Sequence, residues 1–187
     1  MSTVFATVTL IALAALLVAA VVTDLNSRRI PNLLVVAGLA LAFLLHMFAW
    51  AAGQPELSGL YLWSPLAGLL AGGLALLPLY LLRACGAGDV KLMAMVGAFV
   101  GAPAALAAAL ATLVAGGLLS LVFMLGRGVA AQTVANLQLM LLDWRQRASS
   151  GRGLGVPPPL VATAARLPYA LAVALGTLAS QLWLHTG

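Results

Sequence analysis

A chain of 187 residues that is 64% hydrophobic and only 7% charged cannot hide its apolar surface in its own core. A soluble domain carries about 25% charged residues, so lipid must serve as the solvent. Nine Lys and Arg against four acids give a net charge of +5; with no polar domain to display a basic face, this excess speaks for membrane topology and not for nucleic-acid binding. The one cysteine, Cys85, excludes an internal disulfide and any multi-cysteine zinc site.

Apolar runs bounded by polar residues predict a polytopic all-α bundle of about six transmembrane helices. The first runs from about Val4 to Val22. It lacks a basic leader, and "NSRR" follows it, so it reads as a retained helix with its N-terminus outside and not as a signal peptide. The second runs from about Asn32 to Trp50 and the third from about Leu60 to Leu82. The fourth, about Asp89 to Val100, is short. "GAP" separates it from the fifth, about Ala104 to Leu125. Between the fifth and the sixth, residues 127–166 form a polar loop. Within it Val134, Leu137, Leu141 and Trp144 recur at helical spacing, which predicts an amphipathic helix on the membrane surface, and "GRGLGVPPPL" predicts an extended connector. The sixth run spans about Pro168 to Leu184. The whole of 1–187 reads as a single integral-membrane domain.

Charge placement orients this layout. Arg28 and Arg29 follow the first helix, Arg83 and Lys91 flank the third-to-fourth connection, and Arg127, Arg145, Arg147, Arg152 and Arg166 lie in the long loop. If the helices alternate direction, all the cations share one side, which the positive-inside rule makes cytoplasmic.

Four acids remain. Glu56 falls in an outer loop and Asp143 on the amphipathic helix, both as solvated charges. Asp24 closes the first helix and Asp89 opens the fourth, so both reach the same membrane boundary. Asp89 alone could be a helix cap. Two carboxylates brought together cannot readily both ionise. Such a pair can hold a water, remove its proton with one member and protonate a peptide carbonyl with the other. That chemistry requires no metal or cofactor. His46 and His185 fall toward the other side. The short fourth helix, beginning behind Gly86 and Gly88, fits a cleft with irregular backbone beside it. Lys91 is rotated away from Asp89 and is a candidate headgroup or substrate contact.

"GAGDVK" lacks the third glycine of a dinucleotide fingerprint and the Gly-Lys-Ser/Thr of a P-loop. It resembles instead the Gly-x-Gly-Asp motif of membrane aspartyl peptidases, in the form found in prepilin peptidases. "DLNSRRIPN" resembles their other aspartate segment, and "RLPYALAVALG" is similar to the start of their last helix. The resemblance implies an enzyme of the bacterial inner membrane that removes leader peptides from type IV or Flp-type prepilins or pseudopilins, in association with pilus or secretion machinery. It implies catalytic roles for Asp24 and Asp89. The short connection between the first two helices departs from long members, which carry a methyltransferase domain there, and looks most like the peptidases of Flp/Tad systems. A proton-coupled transporter would also use rare membrane acids, but at equivalent places in two repeats near the midplane; Asp24 ends one helix and Asp89 begins another. A structural subunit would leave the glycine–aspartate connection unexplained.

Overall fold

The computed structural model describes residues 2–53, 63–82, 85–128, 130–150 and 169–186. Among these described residues seven α-helices follow one another: α1 (Ser2–Ser27), α2 (Asn32–Ala51), α3 (Ser64–Leu81), α4 (Ala87–Val100), α5 (Ala102–Gly126), α6 (Ala130–Ser150) and α7 (Tyr169–Thr186). No strand occurs among the described residues. Four of the helices, α1 from Val4, α2, α3 and α5, are long and apolar enough to cross a membrane, and the apolar part of α7 is somewhat shorter. Most of their large side chains face outward, as at Ile11, Val18, Leu33, Leu74 and Leu110. Exposed aliphatic surface on this scale is tolerable only against hydrocarbon.

The chain divides into two compact units, one of residues 1–117 and 168–187, the other of residues 118–167. In the first, α4 is the hub: it packs most extensively on α3 and also meets α1, α2 and α7. More than half of its residues are buried, from Asp89 through Leu92, Met93, Met95 and Val96 to Phe99. In a bilayer, water does not drive helices together, so close backbone approach must supply the attraction, and small residues make it possible. Gly68 of α3 lies directly against the backbone of Gly97 in α4, and Gly72, one turn on, against Met93. Met95 fills the space over Gly38 of α2, and Gly176 of α7 lies against Thr112 of α5.

Local signals set the helix ends. Pro31 caps α2 in an extended conformation, and Pro65 occupies the first turn of α3, where a missing N–H costs nothing. Arg28 takes a left-handed φ of 53° and donates its N–H to the Asp24 carbonyl at 2.8 Å, ending α1. Gly101, at φ 79°, is the single residue between α4 and α5, and a side chain there would also crowd the Ser64 hydroxyl. The expected run from Leu60 begins at Ser64 instead, residues 54–62 lying outside the described part. The first helix continues past Asp24 to Ser27, so Asp24 sits within its last turn.

In the second unit, α6 occupies the place of the expected amphipathic helix. Its Val134, Leu139, Leu141 and Leu142 are exposed. Near the end of α5, the Arg127 guanidinium stands over the Phe123 ring at 5.4 Å, a cation–π contact. The proline connector and the side chains of Leu137 and Trp144 lie outside the described residues.

Candidate active site

Asp89 is the third residue of α4 and is 8% exposed. Its Oδ2 accepts the Gly86 N–H at 2.8 Å, so the carboxylate reaches back to the residue that precedes its own helix, as an acid at this position does in a capping box. Gly86 is extended, with φ −86° and ψ 158°. A Cβ on it would come to 3.3 Å from Oδ2, and a side chain here would press on the carboxylate. Gly88 already belongs to α4, and a Cβ there would make ordinary contact with Ile30 at 3.5 Å. The irregular backbone expected at both glycines is therefore found at Gly86 and not at Gly88.

Asp24 arrives from α1 and is half-buried. Its Oδ2 accepts the Ala170 N–H at 3.2 Å, from the first turn of α7. The first N–H groups of a helix have no partner within it, and the positive end of the helix dipole favours an anion. Each aspartate is thus held by a main-chain donor at a helix start, Asp89 at α4 and Asp24 at α7. They are close enough for the Asp24 charge to act on Asp89.

The segments that bear them also meet. Gly88 lies beside Ile30, and Lys91 Nζ donates to Asn32 Oδ1 at 3.1 Å. "GAGDVK" and "RRIPN" form one joint between α4 and the start of α2. Lys91, expected as a headgroup or substrate contact, has this side-chain partner here.

Cys85 precedes Gly86, with its Sγ 3.9 Å from the Leu76 carbonyl. Burial first, and then the Asp89 charge, push its thiol up from the ordinary value. A thiol so placed is a poor nucleophile. His46 Nδ1 is 2.8 Å from the Ala42 carbonyl. It lines a cavity of about 170 Å³ with Phe5, Thr9, Phe99 and Gln181. Thr9 and Asp24 lie some four turns apart along α1, roughly 22 Å at 1.5 Å per residue, so His46 belongs to the other end of the unit.

One residue of this neighbourhood escaped the sequence reading. Tyr169, the first residue of α7, is half-buried, packs on the core, and lies within electrostatic reach of Cys85 and Asp89. The only signal for it was its place inside "RLPYALAVALG".

The apolar helices, four of them long enough to cross a membrane, mark the chain as a membrane protein. The type IV leader peptidase family matches residues 11–121, more than half of the chain and both aspartates, and the chain belongs to that family. Membership carries a leader-peptidase role in general, with prepilin-type precursors as the substrate class. No curated protein and no solved structure matches the chain.

Proposed function

We propose that the protein cleaves the leader from type IV or Flp-type prepilins or pseudopilins, with Asp24 and Asp89 as a water-activating pair. The observation that supports this reading is that the two carboxylates, from α1 and α4, stand within electrostatic reach of each other, each held by a helix-start N–H. In such a pair one carboxylate holds the proton and the other does not. The ionised member takes a proton from the bound water, whose oxygen attacks the scissile carbonyl. The protonated member gives its proton to the carbonyl oxygen, and collapse of the tetrahedral intermediate passes a proton to the leaving amine. The new carboxyl terminus stays with the leader and the amine with the mature chain.

The remaining parts of the reading follow from charge and length. The positions of the cations favour a bundle of about six segments, with α4 and α7 as its two short ones and the acid pair on the cytoplasmic side of the bacterial inner membrane. The exposed aliphatic residues of α6, together with Arg145, suit an interfacial helix. Only Arg28 to Pro31 separate α1 from α2, too little chain to bind a large charged methyl donor. The activity proposed is therefore peptidase without N-methyltransferase, as in Flp/Tad systems.

Co-expression with candidate prepilins, read by mass spectrometry, tests this directly. The expected product lacks the leader and carries a free, unmethylated amine, and Asp24→Asn or Asp89→Asn leaves the precursor intact. Precursor cleaved to near the wild-type extent with either variant rejects the pair. A product heavier by one methyl group rejects the assignment as peptidase alone.

A further inference from the structure

Asp24 owes its orientation to α7. Its Oδ2 partner, the Ala170 N–H, belongs to the first turn of that helix, the part of any helix most prone to fray. Something must hold that turn in place if the bond is to persist. Ala170 itself is 0% exposed, and the residue before it supplies the wedge. The Tyr169 ring lies in the notch left by the missing side chain of Gly116 in α5. A Cβ on Gly116 would come to 3.3 Å from Tyr169 Cε2 and 3.5 Å from its hydroxyl. Ala172, a turn into α7, closes on the same glycine, where an added Cβ would stand 3.6 Å from its own. Gly117, the next residue, faces open space, so the notch is specific to position 116. The same ring packs on the core of the unit.

We propose that Tyr169 is a positioning residue of the acid pair: its ring, seated against Gly116, fixes the first turn of α7 so that the Ala170 N–H orients the Asp24 carboxylate. The inference rests on the reading of Asp24 as a member of the catalytic pair. The chemistry makes it consequential. A carboxylate that must reach a bound water works within tenths of an ångström, and a misplacement of about 1 Å costs on the order of 10²-fold in rate. Precursor binding does not pass through this bond, so the effect belongs in kcat and not in KM.

Cleavage kinetics of the purified full-length protein on one prepilin, in detergent or liposomes, test it. Tyr169→Ala is expected to lower kcat by about 10²-fold with KM unchanged. Tyr169→Phe, which keeps the ring, should restore most of the lost rate. Gly116→Ala approaches the wedge from the other side with a much smaller change, and should lower kcat in the same manner, while Gly117→Ala should not. Gly116→Ala also carries the test if Tyr169→Ala fails to insert. Wild-type kcat in Tyr169→Ala or Gly116→Ala overturns the proposal. So does a loss confined to KM, or a Tyr169→Phe rate as low as that of Tyr169→Ala, which would place the work in the hydroxyl. Asp24→Asn, measured alongside, separates the two levels. An active Asp24→Asn defeats the acid pair itself, whereas an inactive one beside a full-speed Tyr169→Ala defeats only the wedge.

Discussion

Asp24 and Asp89 take their hydrogen bonds from backbone N–H groups at helix starts, donors that cannot swing away as a side chain can. That arrangement fixes carboxylate geometry with very few polar residues, which suits a chain that has only four acids. Cys85 offers a report on the site that needs no substrate. Its thiol is raised by burial and by the Asp89 charge, so at a given pH its thiolate fraction, and hence its alkylation rate, is low. In Asp89→Asn the second cause is gone and the first remains. Alkylation of Cys85 at mildly alkaline pH should then run a few-fold faster than in the parent, and an unchanged or slower rate would contradict the placement of Asp89 beside it. Both aspartates were legible in the sequence because ionisable residues are costly in a membrane chain and therefore rare. Tyr169 was not. A tyrosine at a membrane boundary is ordinary, and what sets this one apart is its contact with Gly116, more than fifty residues away in sequence.

At the scale of the helices, the α3–α4 contact determines where Asp89 can be. Gly68 and Gly97 meet backbone to backbone, and Gly72 meets Met93 one turn on, so α4 is seated by the absence of side chains. Gly68→Val or Gly97→Val would force the helices apart. Overpacking of this kind costs about 1–3 kcal/mol or more. A lowered thermal midpoint in detergent, with Gly117→Val nearly unchanged, is the expected outcome, and equal midpoints for all three would contradict this packing. The Lys91–Asn32 bond is exposed, and its loss in Lys91→Met should cost no more than about 1 kcal/mol. Helix order and most boundaries were legible from hydropathy, since each run is long and its borders are polar or proline-marked. The start of α4 was not: Ala87 and Gly88 read as connector by composition, yet tertiary packing carries the helix back to them. Which glycines are packing surfaces was equally hidden, because Gly68 and Gly117 are the same residue type in similar runs and differ only in what faces them.

For the molecule as a whole, the cations predict a single orientation across the membrane. Single cysteines introduced between Gln54 and Gly59 in a Cys85→Ala background should label from outside intact cells, and cysteines near Ser150 should not; the reverse pattern would place the acid pair on the outer side. The proposed chemistry requires Asp24 and Asp89 to act as one unit and not as two independent contributors. Groups that work as a unit are strongly non-additive, since loss of either member already disables the step. The decisive measurement is kcat for prepilin cleavage by purified Asp24→Asn, Asp89→Asn and the double variant, each shown to insert and to melt like the parent. Each single variant should fall by about 10²–10⁴-fold and the double variant should fall no further. Single losses that multiply in the double variant, or a single variant that cleaves at near the parental rate, would contradict the proposed chemistry.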